Sequence, residues 1–164
     1  MTLRARTGQF EFDEAELRAA FTSRTRAILV NTPHNPTGKV FTREELGLIA
    51  ELCQKHGVVA ITDEVYERLT YDAALPHVRL ATLPGMADRT VTLSSLGKTF
   101  SLTGWKIGWA IATPELSRAV RAGARRERRL PANQPGDSPG GDVLDRLPGG
   151  VGTSQTTSRR RVRT

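Results

Sequence analysis

"AILVNTPHNPTGKVFTREELGLIAELCQKHGVVAIT", from Ala27 to Thr62, decides the fold of this chain. It opens on Ala27 to Asn31, a short apolar run of the kind a buried parallel strand requires. "TPHNPTG" follows, so dense in Pro, Asn and Gly that it reads as a loop. Thr42 and Glu45 then stand in capping-box spacing, and Gly57 marks a helix end. Between them Leu46, Ile49, Ala50 and Cys53 fall on one helical face. A second apolar run, Val58 to Thr62, closes the unit. Strand, loop, helix, strand is the pattern of a βαβ crossover.

Working outward, the same alternation continues on both sides. "FDEAELRAAF" carries Phe12, Leu17, Ala20 and Phe21 at helical spacing. "RTVTLSS" and "KIGWAIA" read as two further strands, and Thr113 with Pro114 opens another helix as N-cap and first-turn proline. The expected fold class is α/β, a mostly parallel sheet covered by helices. A chain of 164 residues suffices for one ordinary domain.

Composition divides the chain near Gly123. The formal charge is +7, but up to Ser117 13 lysines and arginines balance 13 acids, whereas Arg118 to Thr164 holds 11 arginines and 4 acids. The last stretch, Gly123 to Thr164, has no aromatic residue and no lysine, and is built mainly from Arg, Gly, Pro, Ser, Thr and Asp. Such a composition buries too little apolar surface to offset the entropy of ordering. The expected organisation is therefore a folded part at residues 1–122 and a disordered tail at 123–164. Arginine without lysine, beginning abruptly inside a helix, also reads as translation out of frame in a GC-rich gene. Cys53 is the one cysteine, which excludes an internal disulfide framework. The start has no apolar signal region, and no apolar run approaches the length of a membrane span. A cytoplasmic protein without a membrane partner is the expectation.

Polar residues gather where the strands end. Asn35 follows the first, Asp63 and Tyr66 the second, Ser95 and Lys98 the third. Ligands of open parallel sheets bind at the carboxyl ends of strands, so these segments are candidates to line one pocket. Each has a plainer reading: Asn35 as a turn residue, Asp63 as a helix cap, Tyr66 as a core aromatic, and Lys98 and Lys106 as solvated cations. "GKT" also matches the end of a phosphate-binding P-loop, but that motif needs glycine where Thr92 stands.

"NPTG", "DEVY" and "SSLGKTFSLTGWKIGW", in this order, resemble the class I/II aminotransferases, fold-type I enzymes dependent on pyridoxal 5'-phosphate. "TPHNPTGKVF" and "GKTFSLTGWKIGW" are most similar to the branch of kynurenine and glutamine transaminases and cysteine-conjugate β-lyases. The resemblance covers roughly Ala15 to Val120. It implies part of a three-layer, mostly parallel large domain, and a role for each residue. Lys98 would form the Schiff base with the cofactor aldehyde and then shuttle a proton. Asp63 would pair with the pyridinium nitrogen and keep the ring an electron sink. Asn35 and Tyr66 would hydrogen-bond the phenolate oxygen of the ring. Ser95 and Lys106 would hold the phosphate, lysine acting as a point charge where many relatives carry arginine. Amino acid and 2-oxo acid substrates and a homodimer are implied as well.

The family's chains are more than twice as long, so this chain is expected to be a central fragment. It would lack the glycine-containing phosphate turn, the aromatic that stacks on the ring, and the arginine that clamps the substrate carboxylate. Weak cofactor affinity and poor solubility follow as expectations, since interior strands would become edges. Two rival functions stand beside this one. The first is a catalytically silent binder of pyridoxal phosphate. The second is polyanion binding through "RRERR" or "RRRVR", disfavoured because the tail has no aromatic residues for stacking on nucleic-acid bases.

Overall fold

The computed structural model describes residues 1–6 and 8–127. Its centre is a four-stranded sheet built from β3 (Ala27–Asn31), β4 (Val59–Asp63), β5 (Thr90–Ser95) and β6 (Gly108–Ile111), in that order across the sheet. β3, β4 and β5 run parallel, and β6 returns antiparallel to β5. A separate short hairpin, β1 (Arg4–Arg6) with β2 (Gln9–Glu11), precedes α1 (Glu14–Ala20). The remaining helices are α2 (Arg43–His56), the single turn α3 (Leu96–Thr99) and α4 (Pro114–Glu127).

The β3–α2–β4 unit forms as its residues dictate. Thr42 accepts a hydrogen bond from the Glu45 N–H at 3.2 Å, and the Glu45 carboxylate accepts from the Thr42 N–H at 2.9 Å. This reciprocal cap satisfies two donors that the first turn leaves unpaired. At the other end Gly57 adopts a left-handed conformation (φ 65°), as the C-terminal cap requires, and its N–H returns to the last turn. The predicted face of Leu46, Ile49, Ala50 and Cys53 is wholly buried. It packs in one apolar cluster with Val30 and Ala60 from the sheet and Leu17 and Phe21 from the α1 end. Leu80, Leu83 and Met86, carried on the segment before β5, complete that cluster. Strand alternation sends Leu29 to the opposite face, where it is 68% exposed.

The structure corrects four details of the sequence reading. Phe12 lies ahead of α1, which is capped by Asp13, and stacks on Phe41 at 5.9 Å between ring centroids. Ala20, placed on the apolar face by spacing, is exposed, because only two turns form and the core reaches Leu17 and Phe21. The last strand begins at Gly108, so Lys106 is outside it, in a left-handed turn with φ 52°. α4, opened by Thr113 accepting from the Leu116 N–H, runs to Glu127 and so crosses the compositional boundary at Gly123. Alanine and arginine are good helix formers, and they carry the helix past a change that concerns packing rather than propensity. The expected disorder and frame shift of the rest of the tail concern residues 128–164, outside the described ones.

Two outcomes test this core. Thr42→Ala should cost about 1 kcal/mol in urea unfolding, with an unchanged dependence on denaturant. Cys53 is sealed on the buried face of α2, and burial pushes its thiol up to about 11 against a smaller opposing pull from Arg89. Iodoacetamide at pH 8 should therefore leave Cys53 unmodified in the folded chain and modify it rapidly in urea.

Candidate functional site

All the predicted site residues stand at one end of the sheet. The parallel ladder aligns the carboxyl ends of β3, β4 and β5, with Asn31 opposite Asp63 and Asp63 opposite Leu93. Asp63 is the last residue of β4, and Ser95 the last of β5. Lys98 follows within α3. Lys106 is brought back to the same end because β6 is antiparallel: Gly108 pairs with Ser95, and the Leu96 N–H donates to the Ile107 carbonyl at 3.0 Å. A side chain at Gly108 would press on the Ser94 carbonyl at 3.2 Å, so glycine lets the two strands close there.

Three of the residues meet directly. The Asn35 side-chain amide donates to the Tyr66 hydroxyl at 3.3 Å. The Lys98 ammonium lies over the Tyr66 ring, 5.6 Å from its centroid, within the range of a cation–π contact. The Asp63 carboxylate accepts from the Val65 N–H at 3.3 Å, which fixes the turn leading to Tyr66. Ser95 and Lys106 share the sheet end, but among the described residues no side-chain hydrogen bond joins them to this group. Neither Lys98 nor Lys106 has a carboxylate within ion-pair distance among the described residues. Two exposed cations without acidic partners at one sheet end suit an anion.

Sequence reasoning missed the residues behind this edge. In the sequence Asn31 reads only as a strand end. Its side chain accepts from the Asn35 N–H at 2.7 Å and donates to the Asp63 carbonyl at 3.0 Å. An asparagine closing an apolar run, with a loop four residues on, is the available signal. Glu64 reads merely as part of "DEVY". It is wholly buried, 2.9 Å from His77 and 3.6 Å from Arg79, and Arg79 also grips Glu67 at 2.8 Å. These contacts tie the segment carrying Tyr66 to residues 77–79. No local pattern reveals them, because Glu64 and His77 lie 13 positions apart.

The chain belongs to the aminotransferase class I and II family, whose model matches residues 3–127. Among curated relatives, kynurenine–oxoglutarate transaminase 3 of Mus musculus is 56% identical over 110 residues, covering 67% of this chain and 24% of that protein. Kynurenine–oxoglutarate transaminase 1 of Homo sapiens is 52% identical over 115 residues, covering 70% and 27%. The chain thus spans about a quarter of the length of these relatives. Of solved structures, N-succinyldiaminopimelate aminotransferase from Mycobacterium tuberculosis superposes with a TM-score of 0.72 at 49% identity, covering 76% of this chain and 32% of that one. The mixed sheet is that of the aminotransferase fold.

The buried and the exposed contacts around Tyr66 should differ in weight. Glu64→Ala strips the buried imidazole of its partner and should cost about 2 kcal/mol in urea unfolding. Glu67→Ala removes only the more exposed pairing with Arg79 and should cost less than about 1 kcal/mol in the same measurement.

Proposed function

We propose that this chain carries the cofactor half of a pyridoxal 5'-phosphate-dependent aminotransferase site, and that the whole protein moves an amino group from an amino acid to a 2-oxo acid. The observation that carries the reading is the gathering of Lys98, Tyr66, Asn35 and Asp63 at one strand edge, with Ser95 and Lys106 beside them. The donor set fits the cofactor. It offers a primary amine for an aldehyde, a carboxylate for a ring nitrogen, a hydroxyl and an amide for a phenolate oxygen, and a hydroxyl with a cation for a phosphate. The two lysines without acidic partners supply positive charge that such an anionic ligand would neutralise.

When bound, pyridoxal phosphate supplies a conjugated ring that accepts the electron pair released at the substrate α-carbon. The chain's residues supply the rest. Lys98 provides the amine for covalent attachment. Once freed, it holds and returns the proton taken from the α-carbon. Asp63 favours the protonated ring nitrogen. Tyr66 and Asn35 orient the ring through its phenolate oxygen. Ser95 and Lys106 would hold the phosphate. The names of the relatives point to kynurenine and oxoglutarate as a pair of the proposed substrate class. A homodimer is the proposed assembly.

The purified chain, mixed with pyridoxal phosphate and reduced with borohydride, should carry a pyridoxyl group on Lys98, located by mass spectrometry. Lys98→Ala should lose it. Labelling scattered over Lys39, Lys55 and Lys106, unchanged in Lys98→Ala, would overturn the proposal.

A further inference from the structure

We infer that Asn31 is a positioning residue for the cofactor site: its side-chain amide locks Asn35 to the end of β4, and so sets where Asn35 and Asp63 stand relative to one another. The inference rests on the functional reading above and adds to it a residue that touches neither Lys98 nor Tyr66.

The geometry is specific. Asn31 and Asp63 face each other on adjacent parallel strands. The Asn31 Nδ2 donates to the Asp63 carbonyl at 3.0 Å, where the Thr32 N–H also donates at 3.1 Å. The Asn31 Oδ1 accepts from the Asn35 N–H at 2.7 Å. One planar amide therefore spans from the backbone of one proposed cofactor contact to that of the other. Asn35 in turn places its own side chain on Tyr66. A chain of three hydrogen bonds runs from the backbone of Asp63, through Asn31 and Asn35, to the Tyr66 hydroxyl.

The chemistry admits few substitutes. The position needs a donor and an acceptor on one rigid fork. Aspartate keeps the acceptor toward the Asn35 N–H but has no donor, and sets a charged oxygen against the Asp63 carbonyl. A hydroxyl has one atom for both tasks and is too short to reach both. Glutamine has the groups on a longer stem. Asn35 itself is exposed, and among the described residues its N–H has Asn31 as its hydrogen-bond acceptor. Without it, the Asn35 backbone loses its tie to the sheet, while Thr32 at the base of the loop keeps its own bond to the Asp63 carbonyl.

Pyridoxal phosphate itself is the probe. Lys98 labelling after borohydride is followed against cofactor concentration for the unsubstituted chain, Asn31→Asp, Asn31→Ala and Thr42→Ala. Thr42 caps α2 and serves as a control for lost stability alone. Both Asn31 variants should need about tenfold more cofactor for half-labelling, the loss expected for a hydrogen bond that orders a binding group. Thr42→Ala should label like the parent. In the cofactor-free chain, hydrogen exchange at the Asn35 N–H should quicken in Asn31→Ala. The Phe41 N–H, held by the buried Thr32 hydroxyl at 3.1 Å, should stay protected. Asn31 variants that label like the parent, or no worse than Thr42→Ala, overturn the inference and leave the function standing. Absence of Lys98 labelling in the unsubstituted chain overturns the function, and this role of Asn31 with it.

Discussion

The parallel hydrogen-bond ladder of β3, β4 and β5 is the constraint from which the site follows. Parallel pairing forces the chain to leave all three strands at the same end of the sheet, and the connecting residues must then gather there. Asn35, Asp63, Tyr66, Ser95 and Lys98 are far apart in sequence, and the ladder alone brings them to one edge. β6 adds the last member by the opposite means. Because it runs backward along β5, its start lies beside the end of β5, which returns Lys106 to the group. A fourth parallel strand would have put the residues before it at the far end.

Two kinds of interaction divide the labour. Beneath the sheet, α2 and the segment from Leu80 to Met86 bury aliphatic side chains, and this cluster supplies the non-directional part of the stability. At the strand ends the contacts are polar and directional. Glu64 lies between them: wholly buried, yet adjacent in sequence to Asp63 and two residues from Tyr66. Its bond to His77 fastens a segment that the apolar core does not reach, so the site edge is held by hydrogen bonds where packing ends.

The elements that depend on periodicity and punctuation were legible in the sequence. Thr42, Glu45 and Gly57 bound α2, and spacing gives Leu46, Ile49, Ala50 and Cys53 of its buried face but not the equally buried Leu52, since a capping box and a 3.6-residue period are local properties and the full width of the buried face is not. Ala27 to Asn31 stood out as a strand for the same reason. The hairpin at Arg4 to Glu11 carried no such pattern, with three residues to a strand. Lys106 reads as part of a strand because "KIGWAIA" forms one largely apolar run, whereas its backbone turns left-handed just before the ladder resumes. The residues expected to touch a ligand were recognisable by type at strand ends. Those that hold them, Asn31 and Glu64, were not, since their partners are set by register and by a loop that folds back across 13 positions.

The order of strands across the sheet matches their order along the chain. Each strand therefore meets a neighbour that has already been synthesised, and none must be inserted between two that are paired. Pairing can thus follow the order of the chain, β4 against β3, β5 against β4 and β6 against β5. Each step closes a loop of modest length, so the entropy of closure is met in instalments. The edge bearing Lys98 gains Lys106 and Gly108 from the strand that comes latest in that order.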